Sequence, residues 1–221
     1  LSQRALCLPV DGRVDAETVR TIAELFARQG ARACSGQQRD LDATGNQLVT
    51  EEQYFTTIGL KSGSLVSCIC GASAALGSHD PVEINAFSQA GFNLGMVLQI
   101  LNDVAGILNT PNQRNDLAAW KSTLPLIFAL EMGDPLVRAE LQTMLASLST
   151  GPLTQTQIER AREIVERTGG LHYARVVSEI YWDRMLNALH EMPQGRAGPL
   201  LRFVTSLRSE SEGGAHGVGV E

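Results

Sequence analysis

Clustered cations are missing from this chain. Its 18 Lys and Arg are outnumbered by 24 Asp and Glu, for a formal net charge of −6 and a pI near 5.3. No run of Lys or Arg marks one face for phosphate, so neither nucleic acid nor an anionic membrane is an expected partner. Metal and disulfide signatures are missing too. Cys7, Cys34, Cys68 and Cys70 show no C-x-x-C spacing and no neighbouring His, so a zinc site and a disulfide framework are not expected and a reducing, cytoplasmic setting is. The first thirty residues hold no basic stretch followed by an apolar core, and nothing there resembles a secretion signal. An uninterrupted apolar span is also lacking. The longest weakly charged stretch, Ala86 to Leu108, contains Gln89, Asn93, Gln99, Asn102 and Asp103, which hydrocarbon would leave unsatisfied. It reads as a buried helix, not a transmembrane segment. Finally, no segment sustains the period-two alternation of a half-buried strand.

What the chain does contain is ordinary for one globular domain: 221 residues, 43% hydrophobic, mean hydropathy −0.03, enough for one core of good size. Helix starts recur. Asp15 can cap a helix with Val19, Ile22 and Phe26 inward. Thr50-Glu51-Glu52-Gln53 is a capping box opening a helix to about Leu76. Asp80-Pro81-Val82-Glu83 starts the helix that should end at Thr110-Pro111, with Pro at the first helical position, where its missing N–H costs nothing. Asp134-Pro135 and Thr154-Gln155-Thr156-Gln157 start two more, the second stopping at Gly169-Gly170. A last long helix repeats Leu171, Ala174, Val177, Tyr181, Met185, Ala188 and Met192 every three or four residues. The fold class is all-α, over residues 1–208, and the Gly- and Glu-rich segment 209–221 is expected to be a disordered tail.

Four polar features interrupt this pattern. Tyr54, Ile58, Lys61, Leu65, Cys68, Ala72 and Ala75 form one seam with a lysine in it. A buried unpaired ammonium is costly, so Lys61 either snorkels to solvent or meets an anion. On the almost wholly apolar helix from Pro81, Gln99, Asn102 and Asp103 share one patch at i, i+3 and i+4. Oxygen ligands there suit a hard cation such as Mg²⁺, and a closed hydrogen-bond network suits them equally. Gln37 and Asp40 repeat the amide-plus-carboxylate theme at i+3. Lys121 lies just before a helix start marked by Thr123 and Pro125, where both the lysine and the helix N-terminus favour phosphate oxygens.

In order, these pieces read Gly36-Gln37-Gln38-Arg39-Asp40-Leu41, Tyr54 with Lys61-Ser62-Gly63-Ser64-Leu65, Leu98-Gln99-Ile100-Leu101-Asn102-Asp103-Val104-Ala105-Gly106, and Asp116-Leu117-Ala118-Ala119-Trp120-Lys121-Ser122-Thr123-Leu124-Pro125. The series resembles the trans-isoprenyl diphosphate synthase (polyprenyl synthetase) family, whose motifs run G-Q-x-x-D-L, Y then K-[TS]-G-x-L, F-Q-x-x-D-D-x-x-D and D-L-x-x-x-K-x-T-L-P. The likeness covers roughly residues 15–207. It implies an isoprenoid synthase-type helical bundle around a central apolar cavity and a cytoplasmic, Mg²⁺-dependent prenyl transferase, expected as a homodimer. Such an enzyme ionises an allylic prenyl diphosphate and joins it to isopentenyl diphosphate or another acceptor. By the same resemblance Lys61, Lys121 and Gln37 would hold diphosphate, Asp103, Asn102 and Asp40 would serve the metal, and Lys61, Gln99 and Asp103 would carry the chemistry.

Two departures stand out. Nothing in Leu1 to Ala33 supplies the family's earlier D-D-x-x-D helix, so the N-terminal helices are expected to be missing and this fragment alone to be inactive. Asn102 and Gly106 replace the first and third aspartates of the later motif, and Arg114 is the nearest cation to the lysine expected after it. Asn102-Asp103-x-x-Gly106 also resembles the start of the metal motif of class I terpene cyclases, and the Q-x-x-N-D variant with N-D-L is similar to pheromone-modifying peptide prenyl transferases. A non-catalytic subunit or degenerate homologue is the reading from another class.

Overall fold

A computed structural model describes residues 14–43, 48–109, 115–190, 192 and 197–213. The expected end of the long helix at Thr110-Pro111, and Arg114, lie outside these. The described residues form helices and no strand: α1 (Ala16–Asp42), α2 (Glu51–Ile58), a π-helical turn (Gly59–Gly63), α3 (Ser64–Ala75), α4 (Pro81–Leu108), α5 (Leu124–Met132), α6 (Pro135–Ser147), α7 (Gln155–Arg167), α8 (Gly170–His190) and α9 (Gly198–Gly213). The all-α expectation holds. The last helix runs into the segment expected to be a tail, and 214–221 lie outside the described residues.

The capping signals act where the sequence places them. Asp15 accepts from the Thr18 N–H, Asp80 from Val82, and Asp134 from Leu136 and Val137. Thr50 with Gln53 and Thr154 with Gln157 form complete capping boxes. Gly169, at φ +84°, ends the run before α8, a backbone conformation glycine adopts without penalty.

Helix α4 is apolar on most sides because it contributes to all three clusters of the core. One part of it packs with Tyr54, Ile58, Leu124, Ala174 and Val177, another with Leu117, Leu141 and Ile164, and a third with Trp182, Met185 and Val204. The residues 51–75 and α4 are both long and apolar enough to cross a membrane by length and composition. Here they lie against one another, with α1 on one side and α8 on the other.

Two expected faces are corrected. On α1, Thr18, Ile22 and Leu25 are buried, whereas Phe26 is exposed; the inward stripe lies one residue earlier than the Val19–Ile22–Phe26 reading. On α2–α3 the seam holds at Tyr54, Ile58, Cys68 and Ala75 but not at Leu65, which is 52% exposed. The cause is the π turn. It inserts one extra residue, so the buried face steps from Ile58 to Gly63 and continues through Ser67, Gly71 and Ala75. A strict 3.6-residue period cannot foresee that slip.

The π turn is clasped by two glycines on its neighbours. A Cβ at Gly36 of α1 would lie 2.3 Å from the Lys61 backbone nitrogen, and one at Gly95 of α4 would lie 2.6 Å from the Ser62 carbonyl oxygen. The glycine of the G-Q-x-x-D motif thus lets a helix cross directly over the lysine's backbone. Gly36→Ala should overpack this crossing and lower stability by about 1–3 kcal/mol. Gly151→Ala, with nothing within 4 Å of its Cβ, should change denaturant stability by less than about 0.5 kcal/mol.

Candidate active site

Asp103 is buried, 1% exposed, on the central helix, and a carboxylate there requires donors. It has three. The Tyr54 hydroxyl donates to Oδ2 at 2.9 Å, the Gln99 Nε2 amide to Oδ1 at 2.8 Å, and the Lys121 Nζ to Oδ1 at 2.8 Å. The Ser62 hydroxyl donates to Gln99 Oε1 at 2.7 Å, which fixes the amide so that its NH₂ faces Asp103. Lys121 also lies 3.5 Å from Asp116 Oδ2. Asp116 occupies the space that a side chain at Gly106 would need, since a Cβ there would sit 2.2 Å from its Oδ2. Glycine in place of the motif's third aspartate is therefore matched by a carboxylate arriving from the next loop.

Lys61, carried by the π turn, donates to Asp40 Oδ2 at 2.5 Å, with both side chains about one-quarter exposed (25% and 24%). The choice left open for this lysine is resolved: it meets an anion. Asp40, Lys61, Gln99, Asp103 and Lys121 line one pocket together with Tyr54, Thr57 and Ser122. The chain has two lysines in 221 residues, and both enter this pocket.

The electrostatics follow from burial. Asp103 is pushed above the usual carboxylate range by burial, and Lys121, Tyr54 and Gln99 pull it back. For Lys121 burial acts downward, and Asp103, Asp116 and Asp40 outweigh it, so its ammonium is held above the ordinary lysine value. Both upward shifts favour the protonated form, which is neutral for Asp103 and charged for Lys121, so they disagree about the ion pair. The geometry decides: all three neighbours of Asp103 are placed as donors, which describes a carboxylate beside an ammonium. Burial first, then Asp103, raises the Tyr54 phenol well above its normal value.

Other expected positions fall elsewhere. Gln37 and Asn102 are exposed and do not line the pocket. Asn102 therefore leaves the 99/102/103 patch, and Gln37 does not join Asp40 at the site. Sequence reasoning missed Tyr54, Ser62 and Asp116 as site residues. The scarcity of lysine was a signal that could have tied Lys61 to Lys121. The carboxylates present do not fit Mg²⁺: Asp103 is engaged by three donors, Asp40 by Lys61, and no three His, Cys, Asp or Glu among the described residues form a set that could hold a metal.

A second cavity of about 560 Å³ is almost wholly apolar. It is lined by Val66, Ile69, Leu94, Leu98, Leu200 and Phe203 among others.

The phenols give a test of this burial. Tyr173, whose hydroxyl donates to Glu51 at 2.8 Å, is pushed up to about 12 by burial and by Glu51, and burial raises Tyr181 as well. All three tyrosines of the chain are thus raised in the folded state, and free phenols titrate near 10. Raised folded values mean that these contacts contribute fully below about pH 10 and are lost as pH climbs through the folded values. Absorbance at 295 nm should show the native tyrosines ionising later than the three released by denaturant. A native phenol with a midpoint near 10 contradicts the packing.

Residues 11–165 match the family model described as polyprenyl synthetase. A geranylgeranyl diphosphate synthase of Mycobacterium tuberculosis is 31% identical over 181 residues, 79% of this chain and 49% of that protein. A short chain isoprenyl diphosphate synthase of Methanothermobacter thermautotrophicus is 28% identical over 203 residues, 90% of this chain and 61% of that protein. The chain thus spans about half the length of the curated relatives it matches. Among solved structures, the geranylgeranyl pyrophosphate synthetase of Pyrococcus horikoshii superposes with a TM-score of 0.74 at 22% identity, over 88% of this chain and 58% of that one, which shows a shared fold. Motif order, helical architecture and the family match over more than half of its length agree: this chain belongs to the polyprenyl synthetase family.

Proposed function

We propose that the chain forms the part of a prenyl transferase that grips an allylic diphosphate, with Lys61 and Lys121 on its oxygens. The observation that carries this reading is the convergence of the only two lysines on one pocket. In prenyl transfer the C–O bond of the allylic diphosphate breaks, negative charge grows on the departing diphosphate, and an acceptor such as isopentenyl diphosphate attacks the allylic carbon through its double bond and then loses a proton to restore the alkene. Fixed ammonium groups favour that growing charge. Ser62 and Gln99 hold Asp103 and, through it, Lys121 in place.

The anion must compete with carboxylates. Lys61 is paired with Asp40 and Lys121 with Asp103 and Asp116, so a diphosphate enters by drawing both ammonium groups partly away from them. Magnesium is implied by the family resemblance, but the described carboxylates do not fit it, and no step here runs through it. That shortage of ligands favours a second reading, in which the chain is a non-catalytic subunit that shapes a partner's cavity.

Calorimetric titration with the non-hydrolysable farnesyl thiolodiphosphate separates the two. The first reading expects one-to-one binding that weakens roughly 10- to 100-fold in Lys61→Met and in Lys121→Met, the range of a lost charge-assisted hydrogen bond. Farnesol should bind much less well than the diphosphate. Equal binding by wild type and both variants, or no preference for the diphosphate over farnesol, contradicts it.

A further inference from the structure

Lys121 reaches Asp103 from a loop, so something must aim it. The loop is tied to the end of α4 at several points. The Asp116 N–H donates to the Gly106 carbonyl at 3.1 Å, and Asn115 Nδ2 donates to the Asn109 carbonyl at 3.2 Å. The Asn115 side chain also accepts from the N–H groups of Leu117 and Ala118, and the Lys121 N–H returns to the Asp116 carbonyl at 2.8 Å. Between these ties stands Trp120 at φ +45°, the one positive φ among described non-glycine residues. Bulky L residues avoid this conformation, and it persists where the surroundings over-determine it.

The surroundings here are a core. Trp120 is 1% exposed and packs in the cluster of Ile107, Leu141, Met144, Leu153 and Ile158. Its neighbour Lys121 instead lines the pocket with Tyr54 and Gln99. Consecutive residues thus serve two different places, the indole the core and the ammonium the site. With the Lys121 N–H held by Asp116, the left-handed turn at Trp120 makes that division possible. A right-handed φ would swing either the indole out of the cluster or the lysine away from Asp103.

We propose that Trp120 is a positioning residue: its core-anchored indole holds the left-handed turn that delivers the Lys121 ammonium to Asp103 and Asp116. The inference rests on the proposed function only in taking Lys121 as an anion-binding group. Its test uses no substrate, so failure here leaves the lysine-dependent binding test standing, and the reverse.

The protein labelled with ¹⁵N-lysine gives two side-chain ammonium signals, because it has two lysines; Lys61→Arg identifies which belongs to Lys121. An ammonium held by two carboxylates is protected from exchange and shifted relative to a free one. Trp120→Phe should keep that signature, and Trp120→Ala should move the Lys121 signal to the free-lysine position or lose it to exchange. Leu141→Ala opens the same core cluster without touching the turn and should leave the signal in place. Trp120→Gly should melt at a higher temperature than Trp120→Ala, since glycine alone is relieved of the positive φ. Should Trp120→Ala not fold, Trp120→Leu takes its place under the same criterion. An unchanged Lys121 signal in Trp120→Ala, equal loss in Leu141→Ala, or alanine melting at or above glycine overturns the proposal.

Discussion

A carboxylate placed inside an apolar helix must be surrounded by donors or cease to be a carboxylate. Asp103 occupies such a place, and much of the architecture around it serves that need. Tyr54 comes from α2, Gln99 from the preceding turn of α4, and Lys121 from the loop before α5. The donors thus tie two helices and a loop to one pair of oxygens. Arg162 of α7 steadies the far side, donating to the carbonyls of Ile107 and Asn109 at the end of α4, where a cation suits a helix C-terminus.

Packing and polarity are linked at the π turn. The extra residue places Lys61 and Ser62 on the site side while Gly63 and Ser64 enter the interior. That arrangement is possible because Gly36 and Gly95 let α1 and α4 approach its backbone without side chains. The motif glycine beside Gln37 is therefore a packing residue, and the exposed Gln37 is carried along on the same helix without reaching the pocket. A similar exchange links Gly106 to Asp116: removing one side chain from α4 admits another from the loop, and the incoming carboxylate faces Lys121.

The helices were legible because their ends are chemical. Asp15, Thr50, Asp80, Asp134 and Thr154 all cap the helices their sequence contexts suggest. The pairing of Lys121 with the Gln99–Asp103 stripe was legible only through the order of motifs, since eighteen residues separate Lys121 from Asp103. Periodicity missed Leu65, because nothing in a 3.6-residue count announces a π turn. It also missed Phe26, whose stripe is shifted by one residue. Asn102 was misplaced because i+3 spacing brings side chains near one another without requiring that both face inward. The closed network, one of two readings of the stripe, is the one the described residues form.

The site is therefore a set of ammonium groups already matched to carboxylates, and its central feature is the coupling between Lys121 and Asp103. A double-mutant cycle measures that coupling directly. With Lys121→Met, Asp103→Asn and the double variant unfolded in denaturant at pH 7, each single change breaks a buried ion pair, leaving Asp103 with only the neutral donors Tyr54 and Gln99 or Lys121 with only Asp116, a loss of about 3 kcal/mol. The account predicts that the double variant costs far less than the sum, with a coupling of about 2 kcal/mol or more. Single effects that add to within about 0.5 kcal/mol, as independent sites do, would contradict it.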